Sequence, residues 1–155
     1  MKKSIFCLFL LVLSFSCTSN WKKESKALQS LVEKVTNSHL DIGGFSGVMI
    51  IPLNGCSSCI TISSKFASEN AKELKNVLFL FTEIRSTKEL KVRFNLEPNN
   101  QNIIFDTENF IKESKLDFGS VGIYTLQNGN IIDKQILNLK SISQSLNVFK
   151  SKMTY

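Results

Sequence analysis

The stretch GVMIIPLNGCSSCI, Gly47 to Ile60, joins an apolar run, a short turn and two closely spaced cysteines. Val48, Met49, Ile50 and Ile51 follow one another with no polar residue between them. That is the pattern of a strand buried on both faces, as in a parallel sheet covered by helices. Pro52, Asn54 and Gly55 end the strand. Cys56-Ser57-Ser58-Cys59 then opens a polar-faced segment, so both cysteines lie across the start of a predicted helix. There the unpaired backbone N–H groups and the helix dipole stabilise negative charge, which lowers a thiol's pKa and makes the thiolate available. A structural disulfide is the plainer reading of the pair, yet a bridge closing so small a loop removes little chain entropy. The reactive and the structural readings both stand at this point.

Upstream, Trp21 to Ser38 places Ala27, Leu28, Leu31, Val32 and Val35 at helical spacing with charged residues between them. This predicts a helix packed on one face of the sheet. Leu40 to Phe45, with Gly43-Gly44, reads as a connector. Downstream, Ile60, Ile62, Phe66, Ala67, Ala71 and Leu74 carry a helical stripe through about Leu74, and Val77 to Phe81 forms a second buried strand. Ser86 or Thr87 caps a short helix through Phe94, with Leu90 and Phe94 on one face. Pro98 and the tract Asn99 to Asn102 read as a loop. Ile103 to Phe105 is a third apolar strand, and Asp106 closes it as a cap rather than as a base. Glu108 to Lys115 reads as a further helical turn.

Val121 to Leu126 and Ile131 to Leu137 are two strands joined through Gln127-Asn128-Gly129-Asn130. Asn-Gly at the centre predicts a hairpin, because both residues tolerate the positive φ of a type I′ turn. Ser141 is expected to cap a final helix whose Ile142, Leu146 and Phe149 face inward.

The 155 residues, 43% hydrophobic and 21% charged, describe one globular domain large enough to fold without disulfides. The net charge of +6 does not point to nucleic acid: the lysines are scattered, and Arg85 and Arg93 are the only arginines. Met1 to Ser16 has a basic start at Lys2 and Lys3 and an apolar run from Ile5 to Phe15, too short to span a bilayer. It reads as a secretory signal, and without its two lysines 17 basic side chains face 13 acidic ones. Leu13-Ser14-Phe15-Ser16-Cys17 resembles a bacterial lipoprotein box, with Leu13 four residues ahead of the cysteine. That resemblance implies lipid attachment at Cys17, with Thr18-Ser19-Asn20 as a tether; a plain secreted chain and an uncleaved anchor are the alternatives. Of the four cysteines, Cys7 then leaves with the signal and Cys17 takes lipid. Cys56 and Cys59 remain as the thiols of the mature domain, in an oxidising compartment.

The order of elements, with Cys-x-x-Cys after the first core strand, resembles the thioredoxin-like fold over about residues 45–153. The resemblance implies an α/β architecture: a central mixed sheet, parallel βαβ followed by an antiparallel β-hairpin, flanked by helices. It divides the chain into a signal peptide (1–16), a lipidated N-terminus with tether and helix (17–44) and a thioredoxin-like domain (45–155). With the lipoprotein box, the chain is similar to the membrane-anchored thioredoxin-like proteins of Gram-negative bacteria, near the peroxiredoxins and cytochrome-maturation thioredoxins. The segment from Ile103 to Lys115 resembles the insertion that this group carries.

The function implied is thiol–disulfide exchange with exported proteins. Cys56 would be the attacking thiolate and Cys59 the resolving thiol; the two would form the disulfide, with Gly55, Ser57, Ser58, Gly119 and Ser120 beside them. The implied partners are exported proteins with cysteines or a membrane thiol donor, and the membrane through the lipid. The implied location is the cell envelope, at the inner or outer membrane and facing the periplasm. No cofactor and no nucleic acid are expected.

The chain departs from the family in four places. Gly55 stands where tryptophan is common, and Ser57-Ser58 replaces Gly-Pro. The family's buried carboxylate falls on Ile50, and its cis-proline aligns with Gly119 or Ser120. These departures keep a second reading in view, a non-catalytic interaction scaffold with an inert Cys56–Cys59 bridge. His39, the sole histidine, lies in the connector. With the two cysteines it would leave a tetrahedral site one ligand short, so no metal is expected. Arg85 and Arg93 are not obviously placed to serve a peroxidatic sulfur. Most of the 12 phenylalanines read as core, a few being available to line a peptide-binding face beside Cys56.

Overall fold

Six consecutive buried residues, Gly47–Pro52, form the central strand β1 of a computed structural model that describes residues 20–96, 102–116 and 119–154. The expected signal, Cys17, the Pro98 loop through Gln101, and Phe118 lie outside the described residues. A helix over 20–36 (α1) precedes β1. After it come α2 (Ser57–Asn70), β2 (Val77–Thr82), α3 (Thr87–Phe94) and β3 (Ile103–Phe105). The hairpin strands β4 (Gly122–Gln127) and β5 (Asn130–Ile136) and the closing helix α4 (Ile142–Met153) complete the order.

The five strands lie in the order β3-β2-β1-β4-β5. β1 runs parallel to β2 and β2 parallel to β3, while β4 is antiparallel to both β1 and β5. This is the α/β, thioredoxin-like arrangement of a parallel unit followed by an antiparallel hairpin. β1 and β2 are buried on both faces because helices cover both. Met49, Ile51, Phe79, Phe81 and Ile123 pack on one side with Cys59 of α2 and Phe149 of α4. Val48, Ile50, Leu78, Leu80 and Tyr124 pack on the other with Leu28, Leu31 and Val32 of α1. The period-two alternation of a strand divides the uninterrupted apolar run between two cores.

Local chemistry sets the element ends. Ser86, not Thr87, caps α3: its Oγ accepts from the Glu89 N–H at 3.3 Å. The hairpin turns on Asn128 (φ 51°) and Gly129 (φ 73°), both positive, as a type I′ turn requires. Buried Asp106 caps the 3₁₀ turn Phe110–Glu113, its carboxylate accepting from the N–H groups of Phe110 and Ile111 at 2.9 Å each.

Three expectations need correction. α2 stops at Asn70, four residues short of Leu74. The Asn70 carbonyl turns to accept from the Glu73 and Leu74 N–H groups, so Ala71 and Leu74 stay in the core while outside the helix. Ser141 makes no side-chain cap on α4. Asn138 instead holds the turn ahead of α4, its Oδ1 accepting from the N–H groups of Lys140 and Ser141. Asn102, read as loop, is buried, and its amide nitrogen reaches the carbonyls of Ala71, Leu74 and Val77 at 2.9–3.0 Å. It ties the loop before β3 to the end of α2 and the start of β2.

Candidate active site

The turn after β1 leads straight into α2, and Cys56 is that helix's N-cap. An N-cap residue supplies a side-chain acceptor to an otherwise unpaired N–H of the first turn. Here a sulfur does so: Cys56 Sγ accepts from the Cys59 N–H at 3.3 Å. Cys56 is exposed while Cys59, one turn in, is 3% exposed and packed with Met49 and Ile51 of β1. Both are free thiols. Serines at 57 and 58 are exposed and occupy the first turn between them.

The two sulfurs are pushed apart in acidity. Cys56 is held below the ordinary thiol range, chiefly because the Cys59 thiol donates a hydrogen bond to it, and then because the Cys59 N–H does. Cys59 is pushed up to about 11, first by burial, then by donating that bond and by the charge on Cys56. The pair therefore holds one exposed sulfur biased toward the thiolate and one buried sulfur that retains its proton.

A second loop completes the site. Gly119 and Ser120, ahead of β4, line a shallow cleft together with Pro52, Cys56, Cys59 and Val121. Ser120 is fixed by donating from Oγ to the Leu137 carbonyl at 2.9 Å. Gly119 and Ser120 share that cleft with the two cysteines, Gly55 and Ser57 line a neighbouring hollow, and Ser58 lies exposed in the first turn of α2.

The backbone accounts for two of the departures. Gly55 has φ +138°, and a Cβ there would stand 3.0 Å from the Gly119 carbonyl oxygen. Any side chain there is strained, by the positive φ and by the close carbonyl oxygen. Gly119 has φ +61°, which proline, locked near −65°, cannot adopt. The two glycines let the two loops approach each other closely.

Ile50 stands where the resemblance would place a buried carboxylate. Ile50 packs on the α1 face, whereas Met49 and Ile51 share Cys59's side of the sheet. Both faces of the strand are apolar there.

Sequence reasoning missed a groove on the α3 side of the cysteines. A cavity of about 270 Å³ lies between the Leu53–Ser57 turn, the first turn of α2 and α3, and both arginines line it. They are eight residues apart in sequence, and only the packing of α3 brings them beside the Cys56 turn. His39 is exposed in the connector.

The sequence matches no protein-family model and no curated protein. Among solved structures, the chain is similar to a thioredoxin-like protein from Bacteroides caccae at TM-score 0.40 and 17% identity, over 68% of this chain and 41% of that one. It is similar to the thioredoxin domain of a thiol-disulfide oxidoreductase from Bacteroides vulgatus at TM-score 0.45 and 18% identity, over 70% and 81% of the two chains. It is also similar to a mitochondrial 2-cys peroxiredoxin from Plasmodium falciparum at TM-score 0.43 and 15% identity, over 73% and 79%.

Proposed function

We propose that the chain is a thiol–disulfide oxidoreductase of the Gram-negative cell envelope, lipid-anchored through Cys17 and facing the periplasm. Its partners are exported proteins with cysteines or a membrane thiol donor. The observation that carries the chemistry is the asymmetry of the pair: exposed Cys56 held toward the thiolate, buried Cys59 held as thiol.

In the reducing direction the Cys56 thiolate attacks one sulfur of a partner disulfide, forming a mixed disulfide and releasing the other sulfur as thiolate. Cys59 passes its proton to the partner's released thiolate and attacks Cys56 Sγ, closing the Cys56–Cys59 bridge and freeing the partner's second sulfur as a thiolate, which takes a proton from water to complete the dithiol. The same steps run backward oxidise a partner.

The deciding measurement is the reduction potential of the pair, equilibrated against glutathione or dithiothreitol. A value of roughly −120 to −270 mV, the range of exchange enzymes, supports the reading. A value below about −300 mV marks a bridge that the glutathione pool does not open. Replacing Cys59 with serine should accumulate mixed disulfides through Cys56, and Cys56→Ser should trap none. The second reading, a scaffold with an inert bridge, is favoured by the apolar residues packed with Cys59 and by the lack, among the described residues, of a carboxylate acting on its ionisation.

A further inference from the structure

The groove beside Cys56 has a chemical bias. Its apolar part is Leu53, Ile60, Leu90 and Phe94, and its charged part is Arg85, Glu89 and Arg93. Two of these charges cancel: Arg93 Nη1 holds Glu89 Oε1 at 2.8 Å, one turn apart on α3. Arg85 is exposed and makes no ion pair among the described residues. One uncompensated guanidinium therefore faces a cavity whose wall includes Gly55 and Ser57, the residues on either side of Cys56. Asn54 and Ile60 line both this groove and the cleft that holds the cysteines, so the two are continuous along the turn.

Resting on the oxidoreductase reading, we propose that this groove selects partner proteins whose reactive cysteine is flanked by an acidic residue, and that Arg85 receives that carboxylate. A guanidinium presents a planar fork of N–H donors that matches a carboxylate. The four apolar side chains receive an apolar neighbour in the same peptide segment. The selection acts on the encounter that precedes exchange. Two electrons then pass from the Cys56 and Cys59 sulfurs to the partner disulfide. The Cys56–Cys59 bond forms as the partner's S–S bond breaks; the Cys59 proton passes to one partner sulfur, and the other takes a proton from water.

The test is single-turnover reduction of three synthetic disulfide-bridged peptides by the reduced full chain. The peptides are identical except for glutamate, glutamine or lysine beside the cysteine. The glutamate peptide should react about fivefold faster than the glutamine peptide at low salt, the scale of one exposed ion pair. The lysine peptide should be slowest. Arg85→Gln should bring the glutamate rate down to the glutamine rate. Lys88→Gln removes the same charge from the opposite side of α3, where Lys88 lines a separate groove, and should keep the discrimination.

Equal rates for all three peptides overturn the acidic preference while leaving the exchange reading intact. An equal loss in Lys88→Gln overturns it in favour of long-range charge steering. No reduction of any peptide overturns the exchange reading, and this selection with it.

Discussion

At the scale of single residues, the site rests on two sulfurs three positions apart that occupy opposite environments. Cys56 ends in water at a helix N-terminus and Cys59 in a core, so the same element lowers one pKa and raises the other. Alkylation by iodoacetamide should follow the Cys56 ionisation, with a midpoint below the ordinary thiol value. Cys59 should stay unmodified until the pH nears 11. The signs for stability differ too. The depressed Cys56 pKa stabilises the folded state above the unfolded thiol's pKa and loses that contribution as pH falls through the folded value. The raised Cys59 pKa stabilises below the unfolded value and loses its contribution as pH rises toward 11. Mass spectrometry of the alkylated chain across pH reads the two midpoints separately; one shared midpoint contradicts the asymmetry. Gly55→Ala should cost about 1–3 kcal/mol, because it forces a side chain into a positive-φ position against the Gly119 carbonyl. Urea unfolding measures the loss, and an unchanged midpoint would show that the loop yields freely.

At the scale of elements, the ends of helices and strands are set by side chains that only partly announce themselves. The Asn-Gly turn was legible because its φ requirement is local. The role of Asn102 was not, since its three carbonyl partners lie 25, 28 and 31 residues away. In sequence it is the last of a polar tract; in the fold it is a buried donor joining α2, β2 and β3. Asn102→Ala should destabilise the protein by about 1–3 kcal/mol, since carbonyls turned toward it lose their partner. Asn102→Asp should cost more, because a carboxylate there offers acceptors to acceptors. Urea midpoints rank the two, and the reverse order would contradict the donor role. The helix stripe overran α2 for a similar reason: Ala71 and Leu74 continue its apolar spacing, while the Asn70 carbonyl has already turned to close the loop.

At the scale of the whole molecule, two cores flank one sheet, and each helix face is needed to cover it. Leu28, Leu31 and Val32 of α1 are at most 1% exposed and cover the face formed by Val48, Ile50, Leu78, Leu80 and Tyr124. Each such side chain is worth about 1.5–3 kcal/mol of burial, against a total stability of about 5–15 kcal/mol for an ordinary domain. A chain starting at residue 38 should lose cooperative thermal unfolding, measured by circular dichroism, and bind hydrophobic dyes. A cooperative transition at an unchanged temperature would contradict a covering role for α1. On the opposite face, Gly47→Ala places a Cβ 2.8 Å from the Phe149 ring and should lower the unfolding free energy by about 1–3 kcal/mol through overpacking.

The sequence alone determined the element order, the doubly buried strand, the hairpin and the position of the cysteine pair at the head of a helix. Each rests on periodicity or turn chemistry within a few residues. Tertiary structure decided which face each residue of β1 serves, so Met49 and Ile51 rather than Ile50 neighbour Cys59. It also decided that Gly55 and Gly119, 64 positions apart in sequence, meet backbone to side-chain position at 3.0 Å. Arg85 and Arg93 came to the Cys56 turn by the packing of α3. Such approaches depend on how helices pack and loops close across the sheet, and no local pattern of residues encodes a distance between segments that far apart.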